Sequence, residues 1–286
     1  MNNKIKIIFE LTKIRITSFV TLTALFGYIC YSAELSTSLF AAVIGILMLA
    51  SGSAAINQIQ EHKIDVKMKR TMNRPIPSKR ISVKQASLVA FILVLLGESI
   101  LFTLGFVPAL LGLLNLFWYN LVYTPLKKVS QLAIIPGSLV GAIPPAIGWT
   151  SAGGYIFDPQ ILIIAFFFFI WQIPHFWLLL ISFGKDYEQA NMPSLTKTFN
   201  STQLARITFT WIIATVVTSI MIPLFGVVKN PIIYLLLLLA GIWLTWIASK
   251  LLKGNQEKLN IRFAFHGINL FALIVMLIIS LDLILL

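Results

Sequence analysis

The chain is poor in acids and nearly free of thiols. Ten Asp and Glu stand against 22 Lys and Arg in 286 residues, and a single cysteine, Cys30, lies in the first apolar run. One thiol excludes a disulfide framework, and Cys30 reads as a small buried hydrophobe. Only 11% of residues are charged while 58% are hydrophobic, with a mean hydropathy of +0.90. That excludes a soluble globular domain. A sustained two-residue alternation of apolar and polar side chains is also missing. Its absence excludes a membrane β-barrel, so segments that must pair their backbone within lipid are expected to be helices. No cleavable signal peptide is evident. The first apolar run follows a basic start but is long and is continued by other runs, so it reads as an anchor.

What the chain does have is apolar runs of about 20 residues, each long enough to cross a bilayer. They predict an all-α, polytopic membrane protein with about nine spans around a central cavity, organised as one integral-membrane domain over residues 1–286. The expected spans are 17–32, 38–60, 84–104, 108–123, 132–149, 161–183, 205–225, 231–252 and 263–285. Every Lys and Arg except Lys229 then falls on one side of the membrane. The positive-inside rule makes that side cytoplasmic, with the N-terminus inside and the C-terminus outside, in a cell (inner) membrane. The net charge of +12 is thereby explained by topology, and no nucleic-acid partner is expected. The basic start, with Lys4, Lys6, Lys13 and Arg15, fits a short amphipathic helix on the membrane surface.

The chain is organised around NQIQEHKIDVKMKRTMNRPIPSKR, residues 57–80, where the second span leaves the membrane. Asn57, Glu61 and Asp65 are spaced four apart, which on a helix stacks them on one face. An orientation signal needs bases but not acids. Oxygen ligands in such a row suit Mg2+, which is usually held by one or two carboxylates plus substrate phosphates. The bases that follow, Arg70 and Arg74 among them, suit a polyphosphate. The reading is a cation-dependent diphosphate site at a membrane surface.

A second polar cluster, WQIPHFWLLLISFGKDYEQANMPSLTK, covers residues 171–197. Were the second and sixth spans to pack together, Asp186 would face Glu61 and Asp65. Two sets of carboxylates would then hold metal around a diphosphate, with Lys185 neutralising the leaving group. His175, beside Trp171, Gln172, Phe176 and Trp177, lies inside a span, where ionisable groups are costly and tend to be functional. It is expected to line an acceptor pocket that Pro174 opens by a kink. Tyr119 and Tyr123 end the fourth span and Lys127 follows. These three, with Arg70, Arg74, His175, Trp171 and Gln172, form the candidate substrate-binding set. The fifth span, with Pro136, Gly137, Gly141, Pro144, Pro145 and Gly148, is expected to be broken or closely packed beside a ligand cavity. Glu98 is expected to pair with a polar neighbour or to shuttle a proton, and Asp282 to be solvated at the outer end of the last span.

The face at 57, 61 and 65, followed by MKRTMNRPIP, resembles the first acidic motif of UbiA-type intramembrane prenyltransferases. Arg70-Thr71 and Asn73-Arg74-Pro75, with YTPLKKVS, GAIPPAIGW and WQIPHFW followed by KDYEQANMP, resemble more narrowly the branch that farnesylates heme. The match runs in the same order from Leu11 to Arg206 and thins in the last two spans. The resemblance implies Mg2+-bound farnesyl diphosphate, and transfer of the farnesyl group to a vinyl side chain of heme b with addition of water, giving heme O. Heme b is then a substrate and not a prosthetic group. It further implies that Asn57, Glu61, Asp65 and Asp186 hold the metal. Arg70, Arg74, Lys127 and Lys185 would contact phosphate, and heme A synthase or terminal-oxidase assembly would be a transient partner. Glu61 stands where many relatives have Asp. Ala190 stands where the wider superfamily often has a second acid, a gap shared by the heme branch. Ala133 and Ile134 replace polar residues. The alternatives are an aromatic prenyltransferase acting on a quinone precursor and, from another class, a transporter, whose site would lie nearer the midplane.

Overall fold

The computed structural model describes residues 3–189, 192–193, 195–253 and 258–285, and within these every side chain except those at 185, 187–189, 196, 197 and 258. All regular structure among them is helical. Helix α1 (Asn3–Leu11) is short. It is followed by α2 (Ile14–Tyr31), α3 (Thr37–Asp65), α4 (Val83–Leu104) and α5 (Phe106–Phe117). A wide π-turn, Trp118–Tyr123, joins α5 to α6 (Thr124–Leu126). Then come α7 (Ile134–Gly137), α8 (Leu139–Ser151), α9 (Pro159–Gln189), α10 (Leu195–Thr198), α11 (Ser201–Met221), α12 (Ile232–Ser249) and α13 (Lys258–Leu285).

Side-chain caps start α3, α4 and α11. The Ser36 hydroxyl accepts from the Leu39 amide ahead of α3. Ser82 with Gln85, and Asn200 with Gln203, close reciprocal capping boxes on α4 and α11. Lys13 adopts a left-handed conformation (φ 51°), which ends α1 and lets α2 leave in a new direction.

Eight helices among the described residues are long and apolar enough to cross a membrane. The ninth expected span is the one that proline breaks. α8 runs on through Pro144 and Pro145, and the break falls at Ser138, two residues after Pro136, whose carbonyl accepts from the Trp118 indole at 2.7 Å. The segment therefore splits into α7 and α8, and the 13 residues of α8 reach only about 20 Å. It makes up the lost length by packing closely. A Cβ on Gly148 would stand 1.8 Å from the Ala24 carbonyl oxygen, and one on Gly27 2.0 Å from that of Pro145, so α2 and α8 cross backbone to backbone. Gly148→Ala is expected to cost about 1–3 kcal/mol, read as a lowered thermal midpoint of the protein in detergent. An unchanged midpoint would mean that the two helices part easily.

The main core gathers aromatics of α9 (Phe167, Phe168, Trp171) with Phe26 of α2 and apolar residues of α11, α12 and α13. Helix α3 packs on α4 and α2, whereas α9 packs on α11, α8 and α13. The expected packing of the second span on the sixth gives way to two helices on opposite sides of a cavity. Helix α9 contains Pro174, and its non-helical residue is Phe183 (φ −122°, ψ 15°). One further expectation is corrected. Asp282 is buried rather than solvated, because its two oxygens accept the backbone N–H groups of Lys229 (2.7 Å) and Asn230 (3.1 Å). Glu98 lies against Gly112, and its Oε2 has no hydrogen-bond partner among the described atoms.

Candidate active site

The polar end of α3 presents Asn57, Glu61 and Asp65 as one buried ladder, with relative exposures of 1%, 7% and 3%. Burying carboxylates is costly unless each has a partner, and here each does. Lys127 Nζ is 2.8 Å from Glu61 Oε1. One guanidinium nitrogen of Arg74 donates to both oxygens of Asp65, at 2.9 and 2.8 Å. Lys13 Nζ donates to Asn57 Oδ1 at 2.6 Å, while Asn57 Nδ2 donates to the Thr124 hydroxyl at 3.0 Å. Burial, and then the positive charges of Arg74 and Lys127, pull the Lys13 ammonium pKa down to about 7. An incoming anion would favour its charged form.

The π-turn sets the opposite wall. Pro125 cannot donate in a helix and its ring crowds the carbonyl four residues back, so the preceding turn widens. Asn120 pins the wide turn to α3 by donating to the Ser53 hydroxyl at 2.6 Å. Tyr119 and Tyr123 then stack at 5.9 Å, and Lys127 lies 5.3 Å above the Tyr123 ring.

Together these elements enclose a cavity of about 440 Å³ with two unlike ends. The polar end holds Lys13, Arg15, Arg70, Arg74 and Lys127 beside Glu61 and Asp65. Five bases against two acids leave an excess of positive charge there. The other end is walled by Phe19, Ile46, Leu49, Leu116, Phe168 and Phe176. Trp171, Gln172 and His175 of α9 line it as well. The Gln172 carboxamide oxygen is buried without a hydrogen-bond partner among the described residues, and it occupies the space where a Cβ on Gly141 would be.

Every described residue of the expected substrate-binding set lines this one cavity: Arg70, Arg74, Lys127, Tyr119, Tyr123, Trp171, Gln172 and His175. Asp186 arrives by another route. Its Oδ2 accepts the Arg70 backbone N–H at 3.3 Å, and the Arg70 guanidinium sits 5.0 Å over the Phe183 ring. The two polar clusters thus meet through the loop after α3. The side chain of Lys185, like Ala190, lies outside the described residues. Three site residues were not foreseen. Lys13 and Arg15 read in sequence as charges of a basic membrane-surface start. Asn269 of α13 hydrogen-bonds His175, and its signal was an amide inside an apolar span.

Among the described residues no three acidic, His or Cys side chains gather closely enough to hold a metal ion alone. The donors present, one amide and two carboxylate oxygens in a row, fit a hard cation that takes its remaining ligands from a bound phosphate.

The UbiA prenyltransferase family matches residues 20–271. The chain belongs to that family. It is 36% identical over 205 residues to a protoheme IX farnesyltransferase of Geobacter sulfurreducens, covering 72% of this chain and 76% of the relative. A protoheme IX farnesyltransferase of Oleidesulfovibrio alaskensis is 31% identical over 276 residues, covering 96% and 95%. Among solved structures, a digeranylgeranylglyceryl phosphate synthase superposes with a TM-score of 0.79 at 16% identity over 99% of both chains. A UbiA homologue from Archaeoglobus fulgidus bound to GPP and Mg2+ superposes at 0.74 and 16% identity, over 98% of this chain and 100% of that one. The chain is thus a multi-pass membrane prenyltransferase with the UbiA fold, and its bipolar cavity is the candidate active site.

Proposed function

We propose that this prenyltransferase transfers the farnesyl group of farnesyl diphosphate to a vinyl group of heme b, with addition of water, to form heme O. The relatives named protoheme IX farnesyltransferase, one of them matched over 96% of this chain, favour that acceptor over a quinone precursor. The observation that carries the reading is the cavity itself. It has a base-rich polar end beside two carboxylates, and it continues into an aromatic chamber.

In the proposed mechanism Lys13, Arg70, Arg74 and Lys127 bind the diphosphate. Asn57, Glu61 and Asp65 would hold Mg2+, which supplies charge neutralisation on the leaving diphosphate. In the structure Lys127 and Arg74 take the carboxylates' charge, and a diphosphate arriving with its cation gives both bases a new partner. Heterolysis of the allylic C–O bond leaves the electron pair on diphosphate and a resonance-stabilised farnesyl cation. Aromatic faces at the apolar end stabilise such a cation by about 0.5–2 kcal/mol each and exclude bulk water. The vinyl π-electrons bond to the farnesyl carbon, the cation left next to the porphyrin takes up water, and one proton is lost. In this reading Asp186 joins the metal ligands and Lys185 neutralises the leaving diphosphate. The base-rich face is read as cytoplasmic, with the C-terminus outside, in the cell (inner) membrane, and residues 1–286 as one domain. Heme A synthase or an assembling terminal oxidase would receive the product by transient contact.

The test is product analysis. Purified protein in lipid nanodiscs with farnesyl diphosphate, heme b and Mg2+ is expected to yield a heme whose mass has grown by one farnesyl group and one hydroxyl. Chelation by EDTA is expected to stop it. Product only from a hydroxybenzoate or naphthoate would overturn the heme reading.

A further inference from the structure

His175 is held in a single tautomer. Its Nδ1 lies 2.8 Å from Asn269 Oδ1 on α13. The Asn269 amide is fixed in turn, because its Nδ2 donates to the Phe265 carbonyl at 2.6 Å. Flipping that amide would set oxygen against oxygen at Phe265. Oδ1 therefore faces the imidazole as an acceptor, and Nδ1 carries the proton. In a neutral ring the other nitrogen, Nε2, then keeps its lone pair. Nε2 has no hydrogen-bond partner among the described residues, and the ring lines the apolar end of the cavity.

The neighbours fix the ring as well as its proton. Trp171 and Phe265 flank it at 4.9 and 5.1 Å, tilted 34° and 36°. Trp171 is anchored to α13 by an indole hydrogen bond to the Ile268 carbonyl at 3.0 Å. An imidazole whose Nδ1–H is held by a protein oxygen while Nε2 is left without a protein partner on a cavity wall has the arrangement of a metal-ligating histidine. Porphyrin iron readily takes imidazole. His175 lies on α9 before its non-helical residue Phe183, and Asp186 lies after it. Iron held there keeps the centre of the porphyrin deep and leaves its rim nearer the diphosphate end.

Resting on the heme-farnesylating reading, we infer that His175, oriented by Asn269, ligates the iron of the heme substrate through Nε2. His175 touches the substrate. Asn269 is a positioning residue that acts through it.

The test needs no turnover. The full-length protein in nanodiscs is titrated with heme b alone, followed by absorbance, and the ferrous complex is examined by resonance Raman. Wild type is expected to show saturable binding with an iron–histidine stretching band. His175→Ala is expected to lose that band, and added imidazole to restore it. Asn269→Asp is expected to raise the band frequency, because a carboxylate draws the Nδ1 proton and makes the ring a stronger donor. Asn269→Leu is expected to lower the frequency and weaken heme binding on the order of 10-fold. A merely structural Asn269 would move stability but not the band. The inference is overturned if His175→Ala keeps the band, or if both Asn269 variants leave its frequency unchanged. Wild type that makes heme O without a histidine-ligated band sinks this inference alone. Wild type that neither binds heme nor makes heme O sinks the functional reading as well.

Discussion

Asp65→Asn is expected to lower turnover by on the order of 10²–10³-fold, the scale of removing one electrostatic contact to a transition state, while the protein still inserts and still binds heme. The substitution keeps shape and removes charge. Asp65 is 3% exposed, and both its oxygens accept from Arg74. An Asn there still offers one acceptor to the guanidinium. Arg74 keeps 22% of its side chain in solvent, so losing its counter-charge costs little of the fold. What is lost is a carboxylate oxygen for the cation and the negative charge that holds Arg74 at the polar end. Turnover is measured beside the amount of membrane-inserted protein and the heme titration. The Glu10–Arg80 pair is the control, because it is solvent-exposed, with 34% of each side chain accessible. Glu10→Gln should change neither turnover nor midpoint, as expected of a surface pair. Full activity in Asp65→Asn would remove the carboxylate from the mechanism.

The acidic ladder was legible in the sequence because it depends only on helix geometry. Three residues four apart share a face wherever the helix lies. The partners of that face were less legible. Lys127 and Arg74 were singled out as bases, but Lys13 reaches Asn57 only because its own backbone turns left-handed and ends α1. No periodicity reports such a turn. The break at 134–151 was anticipated from its prolines, and eight helices among the described residues are long and apolar enough to span, close to the nine expected, because a broken segment has the composition of a span without its length. Asp186 was expected to face Glu61 and Asp65 by helix packing. It meets the loop after α3 instead, through the Arg70 backbone N–H, which has no side-chain signal. Asn269 shows the same limit. An amide within an apolar run signals a polar partner, but which residue it faces is decided by how α13 packs on α9.

The Glu61–Lys127 pair offers the sharper separation of fold from chemistry. Its carboxylate side chain is 9% exposed and its ammonium side chain 21%, at 2.8 Å. Lys127→Met leaves Glu61 buried without its base and is expected to destabilise by about 2 kcal/mol, below the range for fully buried pairs because water reaches Lys127. Glu61→Gln in that background removes the orphaned charge, so the double variant should regain most of the lost midpoint. Were the pair only a structural brace, turnover would return with stability. If Glu61 instead serves the cation and Lys127 the diphosphate, the double variant is folded and still slowed by on the order of 10²-fold or more. The thermal cycle and the kinetic cycle then disagree. That disagreement is the expected result, because a neutral amide and a thioether fill the space of the ion pair without supplying either charge to a separating diphosphate.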